Sequence, residues 1–218
     1  ASDGNPYAFY TLSDGNSSQQ IKYWRVDTDT GHSNIRSDSY KPFGLYDNKV
    51  WYMESTSLRF NDLHANPTTT NWTPITQSGS FTGGYSPSTT SSYPRARASH
   101  GWFWYQPSSG YDGYIYGIRL EGSRKGNFHR FNTGANNFSS SGNFVVSIDE
   151  VNDKMYVWSH YGTTNIFVAT FNNYSTKRDS DSSSRIDHSY DERRSITNSF
   201  SDTGPTNYGL FHGSRALG

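Results

Sequence analysis

The sequence of 218 residues contains no cysteine, which excludes disulfide bonds, thiolate metal sites and a cysteine nucleophile. It has no excess charge of either sign, because 19 basic residues balance 19 acidic ones. A neutral chain without a long Lys/Arg run lacks the positive surface of a nucleic-acid binder. No stretch approaches the ~20 consecutive apolar residues that a spanning helix needs. The sequence therefore predicts neither nucleic-acid binding nor membrane insertion, and it leaves the oligomeric state open.

Aliphatic side chains are also scarce, since only 32% of the residues are hydrophobic, whereas 17% are aromatic. Each buried aromatic residue removes roughly 150–250 Å² from water. The 17 Tyr, 13 Phe and 6 Trp therefore provide the core that a disordered chain of low hydrophobicity lacks. We predict one domain over residues 1–218. Its richness in Ser, Thr, Asn, Gly and Tyr is typical of exported proteins, so we expect a secreted, extracellular location.

The order of apolar residues favours strands over helices. The best helix candidate, Ser147 to His160, contains the turn pair Asn152-Asp153 and then a β-rich run at 155–158. Elsewhere, short aromatic runs alternate with Gly, Pro, Asn, Asp and Ser. This pattern predicts an all-β domain.

Four aromatic hairpins recur along the chain, and their starts lie roughly 45–55 residues apart, as expected of propeller blades. Their strand pairs are Tyr7–Tyr10 with Ile21–Asp27, Lys49–Met53 with Ser57–Asn61, Gly101–Tyr105 with Tyr114–Leu120, and Lys154–Trp158 with Asn165–Phe171. The repeat predicts a small β-propeller.

The two ends of the chain complement each other. The N-terminal hairpin has no strand before it, whereas Tyr208–Phe211 has no hairpin after it. We expect the C-terminal strand to lie beside the N-terminal hairpin and close a four-bladed propeller, which would remove an exposed sheet edge. The polar segment 177–207 would supply a fourth strand plus a long loop, or a fifth blade. A β-sandwich is the other alternative.

The fourth hairpin carries a family resemblance. Residues 147–158 give a strand, a turn and an aromatic strand, and Asn165–Ala169 follows as a third strand. This order resembles the blades of YWTD-type and olfactomedin-type propellers, and Lys49–Tyr52 looks like a second copy. The resemblance implies a propeller fold and carries over no active-site residue.

Catalytic motifs are absent from the sequence. No nucleophile elbow, nucleotide-binding glycine loop or His-Glu-x-x-His motif occurs. Two carboxylates, Asp149 in a predicted strand and Glu54 at the end of another, have the chemistry of a glycosidase pair, but no spacing links them. We therefore predict no catalytic residue and no cofactor, with a polysaccharide hydrolase or lyase as an alternative.

Metal binding is not predicted either. Asp27–Gly31 approaches the spacing of a calcium loop but has Gly31 where the fifth ligand belongs. We interpret it as a turn, and Asp179 and Asp181 as part of a solvated loop. His100-Gly101 reads as a turn in which glycine supplies a positive φ.

Polar and aromatic residues concentrate in the loops predicted between blades and within hairpins. Tyrosine rings can stack on sugars, while amide, carboxylate and guanidinium groups can bond to vicinal hydroxyls. The predicted ligand-binding residues are Asp14, Asn16, Tyr40, Tyr93, Arg95, Tyr111, Asp112, His160, Tyr161 and Tyr208. We expect a lectin-like module that binds carbohydrate or a glycoprotein. The alternative is a protein-interaction or adhesion domain, such as an olfactomedin-like module or a tail-fibre head.

Overall fold

The computed structural model describes residues 7–13, 19–26, 30–38, 43–54, 57–62, 73–76, 96–106, 113–134, 144–161, 165–181 and 185–197. The chain divides into two compact units. Unit 1 comprises residues 1–110, 116–129 and 181–185, and unit 2 comprises residues 111–115, 130–180 and 186–218. The expectation of a single domain over 1–218 stays a prediction.

The prediction of an all-β chain is confirmed. The described residues form sixteen strands in four sheets, with one short helix. Sheet 1 contains β1 (Tyr7–Ser13), β2 (Gln19–Arg25) and β3 (Thr30–Asp38) in that order. Sheet 2 contains β4 (Phe43–Tyr46), β5 (Lys49–Glu54), β6 (Ser57–Asp62) and β7 (Thr73–Pro74).

The other two sheets follow the same up-and-down plan with one exception. Sheet 3 has β8 (Ala96–Ser99), β9 (Trp102–Tyr105), β10 (Tyr114–Arg119) and β11 (Phe128–Asn132), with β15 (Ile186–Ser189) added beside β11. Sheet 4 has β12 (Phe144–Asp149), β13 (Lys154–Tyr161), β14 (Asn165–Asn172) and β16 (Glu192–Thr197). The helix α1 (Tyr174–Asp179) lies between β14 and β15 in the chain.

The four predicted aromatic hairpins are confirmed as antiparallel pairs. They are β1–β2, β5–β6, β9–β10 and β13–β14. Large side chains lie opposite each other in register, as with Trp51 and Phe60, whose rings are 5.1 Å apart. Cross-strand aromatic pairs of this kind stabilise a sheet beyond the area that they bury.

Tight turns with positive φ connect the first two strands of sheets 2 and 3, and the turn predicted at His100-Gly101 is confirmed. Asp47 and Asn48 take φ of 47° and 56° between β4 and β5, and His100 and Gly101 take 52° and 75° between β8 and β9. The rejection of a helix over 147–160 is also confirmed, because β12 ends at Asp149 and β13 begins at Lys154.

Aromatic side chains fill the core of unit 1. All four residues of β9, Trp102 to Tyr105, are fully buried, so both faces of this strand are covered. Gly117 lies opposite Trp104, and a Cβ there would come 2.8 Å from the Trp104 ring and 2.9 Å from the Trp102 ring. The glycine therefore lets two stacked indoles, 4.8 Å apart, lie against the strand backbone.

The polar segment after residue 177 supplies β16 as the fourth strand of sheet 4, which agrees with one of its two interpretations. It also supplies β15 to sheet 3 and the end of α1, which neither interpretation included. The helix was not predicted. The closing strand, Tyr208–Phe211, lies outside the described residues, as do Asp27–Asp29 of the calcium-like loop. Over the ranges given above, no helix has the length and apolar character needed to cross a membrane.

Candidate functional site

The residues predicted to bind a ligand lie almost entirely beyond the described part of the chain. His160 and Tyr161 are in β13, where only the backbone is described. The eight others lie outside the described residues: Asp14, Asn16, Tyr40, Tyr93, Arg95, Tyr111, Asp112 and Tyr208. Their role in binding stays a prediction.

The carboxylate of Asp149 has a structural task. Its two oxygens accept hydrogen bonds from the backbone N–H of Asn152 at 3.0 Å and from the Asn152 side-chain amide at 2.7 Å. These bonds lower the pKa of Asp149 below its ordinary value. A carboxylate held ionised in this way shapes the turn before β13 and is unsuited to act as a general acid. The side chain of Glu54 is not described.

The aspartates of the polar segment form ion pairs. Asp179 accepts two hydrogen bonds from Arg178, at 2.8 and 2.7 Å. Asp181, in unit 1, pairs with Arg124 and accepts a bond of 3.2 Å from the Asn127 amide. Throughout the residues that the structure describes, no three His, Asp or Glu side chains are grouped as a metal site would require.

A group of polar and aromatic side chains linked by contacts lies in unit 2, where β10 begins and β11 ends. We call it the tyrosine–arginine strip, and it consists of Tyr114, Arg130, Asn132, Asp187 and Tyr190. Hydrogen bonds from the N–H of Thr133 at 2.9 Å and from its hydroxyl at 2.6 Å to the carbonyl of Gly113 hold the two strands together here. The strip adjoins, in sequence, Tyr111 and Asp112, two of the residues that the sequence predicts to bind a ligand.

Arg130 is fixed on both sides. Its Nε and Nη2 donate to the two carboxylate oxygens of Asp187, at 3.0 and 2.6 Å, which is the bidentate geometry that suits a guanidinium. Its Cζ lies 4.0 Å from the centroid of the Tyr114 ring, a cation–π contact. The carboxylate of Asp187 nevertheless keeps 46% of its side-chain surface exposed, so it can accept further hydrogen bonds from a ligand.

Tyr190 is an exposed ring with a defined position. It is 37% exposed, and it lies against Gly134, where a Cβ would come 2.5 Å from the ring carbon Cε1. Gly134 has a φ of 69°, which favours glycine, and its N–H donates to Asn132 Oδ1 at 2.8 Å. Asn132 Nδ2 in turn donates to the hydroxyl of Tyr114 at 3.3 Å. The absence of a side chain at 134 therefore seats the tyrosine beside the polar residues.

The alternation of the strands separates this surface from an apolar layer. Phe131, between Arg130 and Asn132, is fully buried and contacts the ring of Phe171 at 5.4 Å. His188, the neighbour of Asp187, is 8% exposed and stacks on Phe131 at 4.7 Å. Burial, with a smaller contribution from Lys177, lowers the pKa of His188 to about 4, so the imidazole is neutral at pH 7.

The chemistry of the strip suits binding. It offers a rigid aromatic ring, an exposed carboxylate and an oriented amide, which together can receive the apolar face and the hydroxyls of a sugar. The five residues include no Ser, Cys or Lys nucleophile paired with a base.

Sequence reasoning missed these residues for two reasons. The alternation in Phe128–Asn132 could have indicated a strand with Arg130 and Asn132 on one face. Asp187 and Tyr190 lie in a polar segment whose sequence gives no sign that it pairs with β11.

Comparison with known proteins finds no matching family model and no significant match among curated proteins. The resemblance to YWTD-type and olfactomedin-type blades therefore stays a prediction. Among solved structures, the chain is similar to Kluyveromyces lactis Hsv2, with 16% identity and a TM-score of 0.42 over 74% of this chain and 44% of that chain. A form of that protein with loop 6CD replaced by a Gly-Ser linker is similar at 15% identity and a TM-score of 0.42, over 76% and 46% of the two chains. The chain spans less than half the length of these structures, and a similarity at this level establishes no function.

Proposed function

We propose that this protein is a non-catalytic, extracellular carbohydrate-binding module in which the tyrosine–arginine strip receives a sugar of a glycan or glycoprotein. One observation carries the proposal: Tyr190 is exposed yet held against Gly134, whose N–H donates to the side-chain amide oxygen of Asn132. A sugar needs a flat apolar surface and nearby groups that bond to its hydroxyls, and both are present here.

Preorganisation supports the same proposal. Arg130 is held by the Tyr114 ring and the Asp187 carboxylate, and Asn132 is held by Tyr114 and Gly134. Side chains that are already ordered lose little conformational entropy when a ligand binds. The strip can therefore bind a small polar ligand without first reorganising.

The same proposal includes the finer fold, a four-bladed propeller with Tyr208–Phe211 as the missing inner strand of sheet 1. Sheets 2 and 4 each contain four strands in an up-and-down order, and sheet 3 has four such strands with β15 added, whereas the described part of sheet 1 has three. In unit 1, the first strands of sheets 2 and 3 approach closely, since a Cβ at Gly44 would clash with the backbone of Ala98. Repeated four-stranded sheets are typical of propellers.

The test is a glycan array followed by calorimetry on the best glycan, with Tyr190→Ala and Tyr190→Phe. Truncation to alanine removes the stacking surface and should weaken the affinity about tenfold or more, a loss of ~1.4 kcal/mol or more. Phenylalanine keeps the ring and should retain most of the affinity. Since Tyr190 is partly exposed, neither variant should change the melting temperature by more than a few degrees.

Two further variants give the controls. Val151→Ala alters a turn residue that is 94% exposed and should leave binding unchanged. Tyr93→Ala with Tyr111→Ala tests the loops predicted from the sequence. Full affinity in Tyr190→Ala together with lost affinity in the loop variant would move the site to those loops, and the absence of any glycan ligand would refute the function.

A further inference from the structure

Arg193 presents a guanidinium next to the tyrosine–arginine strip. It donates from Nη1 to the carbonyl oxygen of Gly134, the residue against which Tyr190 lies. The Cζ of Arg193 is 4.6 Å from the centroid of the Phe167 ring. Phe167 lies in β14, two positions before Ala169, which is the register partner of Arg193. One hydrogen bond and one ring contact thus fix the position of this exposed cation.

The charge of Arg193 is not neutralised within the described residues, where no carboxylate lies within ion-pair distance of it. Three other cations of unit 2 differ in this respect. Arg130 pairs with Asp187, Lys177 pairs with Asp191 at 3.2 Å, and Arg178 pairs with Asp179. A guanidinium has five N–H donors, and the contact with Gly134 uses one of them.

We infer that the sugar bound at Tyr190 is acidic, and that Arg193 binds its carboxylate or sulfate group. The inference rests on the proposed function and adds the class of ligand. Both anions match the planar fork of a guanidinium, which binds two oxygens at once. The contact of Arg193 with Phe167 and Gly134 sets the fork before the ligand arrives, so an anionic substituent on a ring stacked at Tyr190 meets a donor already in place.

The experiment compares matched glycans that differ only in charge. An array carries uronic-acid glycans beside their carboxyl-reduced forms, and sulfated glycans beside their desulfated forms. We expect the acidic member of a pair to bind about tenfold or more tightly, and its advantage to fall as salt rises from 0.05 to about 0.5 M because ions screen the contact. The kind of pair that shows this advantage identifies the anion.

Variants then assign the preference to one residue. Arg193→Gln should remove the advantage of the acidic glycan while the neutral counterpart binds as before, and Arg193→Lys should restore only part of it, because an ammonium lacks the fork. Arg194→Gln is the matched control. It lies on the opposite face of the same strand, is 78% exposed and approaches Glu192 only at 3.6 Å.

The outcomes separate the two proposals. Equal binding of acidic and neutral members, or an equal loss for both in Arg193→Gln, overturns the inference and leaves a carbohydrate site at Tyr190. An advantage that is lost equally in Arg194→Gln also overturns it, because general surface charge then explains the preference. If no glycan of any pair binds, the proposed function fails and the inference fails with it.

Discussion

At the scale of single residues, adjacent side chains of β15 serve opposite purposes. Asp187 holds Arg130 at the surface, while His188 packs on Phe131 beneath it. Because its pKa falls to about 4, His188 is neutral in the folded protein at pH 7 and contributes as an aromatic ring. Because side chains alternate between the two faces of a strand, β15 places Asp187 in the strip and His188 in the apolar layer beneath it.

The lowered pKa of the buried His188 predicts that the stability of the protein depends on pH. The ordinary pKa of a histidine is 6.5, whereas the pKa of His188 in the folded protein is about 4. Between pH 4 and pH 6.5, the unfolded chain therefore binds a proton at His188 that the folded protein does not bind. The free energy of unfolding should therefore fall as the pH decreases from 6.5 to 4. Above pH 6.5 the contribution of His188 to the free energy of unfolding is fully present. Lys177 lowers the pKa and Asp187 raises it, with burial as the largest cause.

Urea unfolding at pH 7 and pH 5 measures this dependence. His188→Phe, which keeps an aromatic ring on Phe131, should lose less stability than the wild type between the two values. The comparison cancels the titration of carboxylates that both proteins share. The same loss in both would show that His188 does not remain neutral in the folded protein.

At the scale of elements, α1 shows how a short helix is fixed by a distant turn. Asn173 precedes it with φ of 51° and makes no side-chain cap. Asp153, in the turn before β13, instead accepts bonds from the N–H of Ser175 at 2.6 Å and from its hydroxyl at 2.8 Å, and its carbonyl accepts from the N–H of Tyr174. A helix of six residues depends on such contacts because its own hydrogen bonds are few.

Removal of the Asp153 side chain should therefore cost about 1–2 kcal/mol of unfolding free energy, as for the loss of a helix cap. Asp153→Gly is the suitable change, since φ is 50° at this position and glycine accepts it without strain. Asp153→Asn keeps an acceptor and tolerates the same φ, so it should cost less. Urea unfolding of the three proteins gives the values, and equal stability of Asp153→Gly and the wild type would contradict this role.

The elements differ in how far the sequence predicts them. Hairpins such as β5–β6 and β9–β10 follow from aromatic runs separated by turn residues. The helix α1 is too short to give a periodicity, and β16 is polar and exposed over Glu192–Ser195. It forms because β14 offers a free edge, which is a tertiary effect.

The proposed site shows the same limit. The sequence predicts tyrosine, arginine, amide and carboxylate groups for ligand binding, and the residues predicted to supply them lie almost entirely outside the described residues. The contact of Gly134 with Tyr190 joins residues 56 positions apart, through a strand pairing that local patterns do not encode. Residue type was therefore predictable from composition, whereas position depended on topology.

At the scale of the whole molecule, aromatic residues supply the largest buried side chains of the described core, beside smaller aliphatic ones such as Val50 and Ile118. Among the described residues, the fully buried side chains of greatest volume are tryptophans, tyrosines and phenylalanines such as Trp51, Trp102 and Phe171. Rigid rings pack with little loss of conformational entropy, because they have only two side-chain torsions. Such sheets give a firm base for a surface whose binding residues must already be ordered.

The central claim is that a carbohydrate binds on the tyrosine–arginine strip, and hydrogen–deuterium exchange with a saturating array-selected glycan tests it most directly. We expect slower exchange in peptides covering 128–134 and 186–193, and a much smaller change in Tyr190→Ala when both proteins are compared at a glycan concentration near the wild-type Kd. Slower exchange confined to peptides that contain Tyr93 or the 121–126 turn, with 128–134 and 186–193 unaffected, would contradict the account.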